Sequence, residues 1–509
     1  MLYCDCISAK YARITPHNLL EYSNIYSFQQ IITENAMSIL GREKEQDVLS
    51  GCLKSMRPEL LVVFGRRRVG KTFLIREYFN EHFSFYTTGI PDEKTRNQLK
   101  AFHESLISFG DQTNTIPRDW FEAFRRLRGI LEGKTVRRDY SSGKRVVFLD
   151  EVPWMDTARS DFKPAFDFFW NSWGSAQKDL LLIICGSATS WIINNILNDK
   201  GGFHNRITRQ IQLAPFNLRE CKAFFEHNGI RLSRDNMIES YMIFGGIPYY
   251  LNLFDKRLSL AQNVDSLIFD DRGDLHHEYE RLFRSLFKRP ENHIKIIETM
   301  AGIKKGLQRT DLVKMSGVPD GEGLTKALRE LEQCGFIRHF QNLTTRHNNT
   351  FYQVIDPFVL FSLSFLRDGK TKTWQAFLKS PGYYAWRGNA FEMVCLAHIP
   401  QIKSALGISG IESTEYSWRS KQKDGGTQID LLIDRRDDVI NLCEMKCTDK
   451  AFEITKEYRN DIINKVDTFL REAHPDKSVH VTLITSNGLK ENRYTDVVQN
   501  NILPESLFQ

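Results

Sequence analysis

Residues 60–64, Leu-Leu-Val-Val-Phe, form an unbroken apolar run, the pattern of a strand covered on both faces. A glycine-bounded turn follows. Then Phe73, Leu74, Ile75, Tyr78 and Phe79 mark the apolar side of a helix. Similar short strand patterns recur at residues 83–87, 145–149, 180–185 and 210–213. A helix carrying Val48, Leu49, Cys52 and Leu53 precedes the first strand, and residues 92–131 read as one helical stretch with aromatic and leucine positions three to four apart. Strands alternating with helices from Ile39 to Pro215 predict an α/β sandwich built on a parallel sheet.

The pattern changes twice more. From Phe216 to about Phe287 the strand signals stop and short helices dominate, as in a helical lid, interrupted by Gly245-Gly246-Ile247-Pro248. From His293, three helical patterns, the second and third separated by Gly317-Val318-Pro319, lead to paired strands at 336–340 and 350–354. That order predicts a winged helix, a module that contacts DNA or another protein. Between Lys304 and Arg346 eight Lys/Arg face five Asp/Glu, a modest excess for a DNA surface. The remainder reads as a separate α/β unit, with a helix carrying Glu392 and strands at 428–433 and 439–446.

The turn after the first strand is Gly65-Arg66-Arg67-Arg68-Val69-Gly70-Lys71-Thr72, the G-x-x-x-x-G-K-T phosphate loop, closed by Phe73. Its backbone N–H groups and the helix N-terminus favour phosphate; Lys71 would reach the β- and γ-phosphates and Thr72 would hold Mg²⁺. Gly41-Arg42-Glu43, about twenty residues upstream, is where a nucleotide's adenine would be met. The strand ending in Asp150-Glu151 fits the second acidic motif of such sites, Asp150 acting on Mg²⁺ through water and Glu151 polarising the attacking water. Ser187, after the next strand, is either a polar sensor of the γ-phosphate or a helix cap. Arg206 or Arg209 would act as an arginine finger on a neighbouring copy, which calls for a homo-oligomer; a solvated arginine is the alternative. In the last unit, a hairpin would set Asp430 beside Glu444, with Lys446 on the same face: a D…E-x-K arrangement suited to a metal and a hydrolytic water, or a plain Glu–Lys surface pair.

Composition narrows little. A net charge of +6 permits nucleic-acid contact without demanding it, and 41% hydrophobic with 26% charged residues is ordinary for a soluble chain. Nine scattered cysteines without metal spacing and the lack of any apolar run of membrane length point to a cytoplasmic protein with reduced thiols.

Taken in this order, the motifs resemble the archaeal-type ATPases of the AAA+/STAND P-loop class that carry a C-terminal restriction-endonuclease-like domain. The resemblance runs from Gly41 through the phosphate loop, Asp150-Glu151, Gly186-Ser187, Gly245-Gly246-Ile247-Pro248-Tyr249 and Asp356-Pro357-Phe358 to Glu392, Asp430 and Glu444-Met445-Lys446. It implies ATP and Mg²⁺ as cofactors and DNA as a partner, with Gly246 and Pro248 near the nucleotide. It also implies Glu392 as a metal-holding acid of the nuclease-type site with Asp430 and Glu444, Lys446 orienting water. The expected organisation is a tail or over-extended start at 1–36, an ATPase core at 37–215, a lid at 216–287, a winged helix at 288–366 and a restriction-endonuclease-like domain at 367–509. The expected function is an ATPase acting on or switching at nucleic acid, with a metal-dependent nuclease domain; the alternative is a nucleotide-dependent switch on an inactive nuclease-like scaffold that binds a protein.

Overall fold

Apolar residues on both faces make strand β1 (Glu59–Phe64) buried along its whole length in the computed structural model. The structure describes residues 39–187, 189–198, 206–287, 289–303, 306–341, 350–367, 372–420 and 427–509. The expected tail, Lys304, Lys305, Arg346 and the run 421–426 lie outside them. Around β1 lie β2 (Phe85–Thr88), β3 (Arg145–Asp150), β4 (Leu180–Gly186) and β5 (Arg209–Gln212), all parallel, in the order β2-β3-β4-β1-β5. This order sets β4 between β1 and β3. The turns after all three strands therefore open onto one edge of the sheet, where ligands of parallel α/β folds bind.

Helices α1 (Glu43–Lys54) and α2 (Lys71–Tyr78) precede and follow β1. The helical stretch is made of two helices, α3 (Thr95–Ser108) and α4 (Trp120–Glu132). Gly110, at φ +105°, and Pro117 break it, and Asp119 caps the second helix by accepting from the Glu122 N–H. With α5 (Phe162–Ser172) they cover the sheet face that carries Leu60, Val62, Val147 and Ile184.

The opposite face, with Leu61, Val63, Phe148 and Ile183, packs with α6 (Leu218–His227) and α7 (Arg234–Phe244), whereas α8 (Glu278–Leu286) packs with the helices after it. Next come α9 (Glu291–Ala301), a short β6 (Leu307–Gln308), α10 (Arg309–Ser316), α11 (Glu322–Gln333) and the hairpin β7 (Ile337–Gln341) and β8 (Thr350–Val354). These three strands form an antiparallel sheet in the order β6-β8-β7. Helices α12 (Pro357–Phe365) and α13 (Pro381–Ala397) pack back on α7.

The last sheet contains β9 (Ser413–Arg419), β10 (Gln428–Arg435), β11 (Val439–Lys446), β13 (Ser478–Thr485) and β15 (Asn500–Ile502) in the order β15-β13-β11-β10-β9. Strands β12 (Phe452–Glu453) and β14 (Leu489–Lys490) form a separate small ladder, and α14 (Lys456–Ala473) covers one face of the large sheet.

One apolar cluster crosses the expected boundaries at 215 and 366. It runs from Leu61 and Phe148 through Tyr241, Phe244 and Ile247 to Phe361, Phe391, Leu431 and Ile484. Polar ties reinforce it: Glu239 of α7 accepts from Trp374 Nε1 at 3.1 Å and from the Tyr383 hydroxyl at 2.6 Å. The described cysteines are free thiols, and no described helix is long and apolar enough to cross a membrane.

Candidate active site

The phosphate loop is shaped by its glycines. A Cβ on Gly65 (φ +147°) would lie 2.3 Å from the Leu213 carbonyl oxygen, and Gly70 (φ +90°) opens α2. Beneath the loop, Lys71 donates from Nζ to the carbonyl oxygens of Gly65 at 3.0 Å and Arg66 at 2.9 Å, and is 5% exposed. Thr72 donates its hydroxyl to Asp150 at 2.8 Å. Burial, and then the neighbouring Glu151 carboxylate, push the Asp150 carboxyl above its ordinary range, while the Thr72 hydrogen bond pulls it back. Glu151 turns off β3 at φ +48° and is held at both carboxylate oxygens by Ser187, through the backbone N–H at 3.2 Å and through the hydroxyl. A hydrogen-bonded row therefore runs Thr72, Asp150, Glu151, Ser187 across the ends of β1, β3 and β4.

This row lies by a cavity of about 740 Å³, in the size range of small-molecule sites. Of the expected residues, Arg42, Arg67, Arg68, Val69, Gly70, Lys71, Thr72, Phe73, Glu151, Ser187 and Pro248 line it. Asp150 does not, and reaches it through Thr72. Arg42 lies 4.6 Å over the Phe216 ring and donates to the Val69 carbonyl at 3.4 Å; burial lowers its pKa against the pull of Glu220.

Other expected residues lie elsewhere in the structure. Gly65 shapes the loop without facing the cavity, and Arg66 turns away from it into a buried ion pair with Asp356. Gly41 packs on Glu220, and Glu43 is exposed and pairs with Arg219 at 3.4 Å. Gly246 is needed for packing, since a Cβ there would meet the Phe216 carbonyl at 2.1 Å. Arg206 is exposed and outside the cavity, and Arg209 lies on β5. Sequence reasoning missed the far end of the cavity, formed by Ile39, Leu40, Phe216, Phe224, His227 and Asn228, which carry no motif.

The second cluster does not assemble. Glu444 is held by Lys465, and by the Tyr458 hydroxyl at 3.3 Å, both on α14; Lys446 lies 4.9 Å over the Tyr458 ring on the same side. Asp430 sits at a β-bulge between Ile429 and Leu432 and accepts from Gln428. Its carboxylate, with that of Glu392, acts instead on Arg338, whose pKa burial lowers to about 10 against the pull of both acids. Among the described residues no three His, Cys, Asp or Glu side chains are grouped to hold a metal. The residues present do not fit a metal centre there.

Residues 39–254 match the family model described as an ATPase domain predominantly from Archaea. An uncharacterised protein of Methanocaldococcus jannaschii is 23% identical over 327 residues, covering 64% of this chain and 68% of that one. Among solved structures, a Walker-type ATPase of Pyrococcus abyssi is 21% identical, with a TM-score of 0.44 over 64% of this chain and 96% of its own. The ORC2 protein of Aeropyrum pernix, in ADPNP–ADP complexes, is 14% identical, with a TM-score of 0.41 over 67% and 95%. With its phosphate loop and its β5-β1-β4-β3-β2 sheet, the chain carries over residues 39–254 a P-loop ATPase domain of the kind found predominantly in Archaea.

Proposed function

We propose that this ATPase requires Mg²⁺ and works as a nucleotide-controlled switch at DNA, with its C-terminal domain serving as a scaffold rather than a nuclease. Thr72 and Asp150 offer the hard oxygen donors Mg²⁺ prefers, and they would hold it. The ion, when bound, neutralises charge on the phosphates. Lys71 binds the γ-phosphate, Glu151 orients and deprotonates the attacking water, and Ser187 fixes the glutamate. Residues 216–287 would form the lid, 288–366 a winged helix and 367–509 the restriction-endonuclease-like scaffold. Lys314, Lys326 and Arg329, exposed on α10 and α11, are the cations that would meet DNA phosphates.

The observation that carries the scaffold reading is the capture of Glu444 by Lys465 and Tyr458 while Asp430 answers to Arg338. The test combines duplex binding with plasmid cleavage in Mg²⁺ or Mn²⁺, with and without ATP, in wild type, Lys71→Ala and Lys446→Ala. Nucleotide-dependent DNA affinity that disappears in Lys71→Ala, without cleavage, is the expected result. Cleavage lost in Lys446→Ala would establish the nuclease instead, and the absence of any DNA binding would move the partner to a protein.

A further inference from the structure

We infer that Asp356 and Glu278, both outside the matched ATPase domain, are positioning residues for ATP hydrolysis, acting through phosphate-loop arginines Arg66 and Arg68. Arg66 is 6% exposed, and its guanidinium is paired with Asp356 and lies 5.0 Å over the ring of Phe336. Phe336 and Asp356 stand at the two ends of the β7–β8 hairpin, whose root is closed by the Ile355 N–H donating to the Phe336 carbonyl at 2.9 Å. The other Asp356 oxygen caps α12 by accepting from the Val359 N–H at 2.8 Å. Arg66 thus plugs its side chain into the hairpin root while its main-chain carbonyl holds Lys71 Nζ.

Further contacts tie the loop and the hairpin to their surroundings. Cys334, after α11, is buried against Arg66 and Thr189, and α11 packs on the turn 189–192 that follows Ser187. Arg68 pairs with the buried Glu278 of α8 at 2.6 Å and lies 4.3 Å over Tyr249, whose N–H donates to the Arg68 carbonyl at 3.4 Å. Glu278 also accepts from the Tyr250 hydroxyl at 2.9 Å. From the hairpin, Arg338 of β7 reaches Gln353 and the Ser417 hydroxyl of β9, at 2.8 and 3.4 Å.

A buried guanidinium needs its carboxylate: without it the loop carries an uncompensated charge and leaves its seat. Phosphates entering the loop draw Lys71 off the Gly65 and Arg66 carbonyls, and the peptide that loses this contact is the one whose side chain is fixed in the hairpin root. Loop and hairpin therefore move together, and nucleotide state reaches β9 through the hairpin.

The test uses the full chain with Asp356→Asn, Glu278→Gln and the neutral pair Arg66→Gln/Asp356→Asn. Hydrolysis rates, titration with a fluorescent ATP analogue, and amide exchange of residues 336–341 and 350–355 with and without a non-hydrolysable ATP analogue are measured. Asp356→Asn should lower kcat about tenfold or more while the affinity for ATP changes less, because Arg66 loses its seat and its carbonyl no longer holds Lys71 in place; Glu278→Gln should lower kcat by releasing Arg68, which lines the cavity. The neutral pair should recover most of the rate. Nucleotide should protect the hairpin root in wild type and leave it unchanged in Asp356→Asn. A folded Asp356→Asn with wild-type kcat and intact nucleotide-dependent protection would overturn the proposal, reducing the pair to a fold contact. If that variant does not fold, wild type decides: hairpin exchange altered by nucleotide supports the coupling, and exchange untouched by bound nucleotide refutes it.

Discussion

His398 joins the end of α13 to the start of α6, and acid should loosen that joint. The side chain is fully buried at the end of α13. Its Nε2 accepts the N–H of Leu218, the first residue of α6, at 2.9 Å, so Nδ1 carries the proton and donates to the Val394 carbonyl at 2.7 Å. Burial lowers its pKa from 6.5 to about 4. The unfolded chain takes up this proton near pH 6.5, and the folded chain refuses it until about pH 4. The contribution is therefore complete above pH 6.5 and is lost as pH falls through that window. The gap corresponds to about 3 kcal/mol when fully expressed, and to about 1.4 kcal/mol at pH 5.5. Protonation would also put a second donor against the Leu218 N–H. Urea unfolding at pH 7.5 and 5.5 should show wild type losing about 1.4 kcal/mol more than His398→Gln, which stays neutral and can still accept from Leu218. Equal losses in the two proteins would refute the buried neutral imidazole.

Three other outcomes follow from the site. Lys71→Ala should abolish ATP hydrolysis in a folded protein, and measurable turnover would remove the lysine from the mechanism. Ser187→Ala takes away one of the two hydrogen bonds holding Glu151; a charge-assisted bond contributes about 1.5–3 kcal/mol, so kcat should fall by about one to two orders of magnitude with KM little changed. An unchanged kcat would show that the backbone N–H alone holds the glutamate, and a faster one that Ser187 restrains it. Gly65→Ala should abolish binding of a fluorescent ATP analogue, because the loop cannot keep its path with a Cβ 2.3 Å from the Leu213 carbonyl; wild-type affinity would contradict the geometry.

The phosphate site was legible because its working parts are local. Gly65 to Thr72 are consecutive, and Asp150, Glu151 and Ser187 each follow a strand that the apolar pattern marks. What escaped was non-local. Arg66 reads as one of three equivalent loop arginines, yet its partner stands 290 residues later. The cavity is also lined by Phe216, Phe224 and His227, which α6 and the residues leading into it bring there from more than 140 residues beyond the loop. The helical stretch read over 92–131 is interrupted for a simpler reason: residues 109–119 are polar apart from Phe109 and Ile116, and Gly110 and Pro117 cannot continue a helix there.

The C-terminal site shows where strand periodicity stops being a safe guide. Alternation correctly puts Glu444 and Lys446 on one side of β11, both meeting Tyr458 of α14. Applied to β10, it puts Asp430 beside Glu444, because Leu431 pairs with Cys443. The bulge undoes this. Ile429 and Leu432 are three apart, which in a regular strand means opposite faces, yet both pack with Trp418 and Phe469 under α14. The extra residue is absorbed at Asp430 and Leu431. Leu431 joins the apolar cluster of the other face, while the Asp430 carboxylate acts on Arg338 and Arg419. Two carboxylates on opposite sides of one sheet cannot share an ion, however suggestive their spacing. With Glu444 paired to Lys465 instead, the face that would have held metal is closed by an ion pair. Residue types at the right interval are therefore not enough: the bulge in β10 re-aims Asp430 away from Glu444.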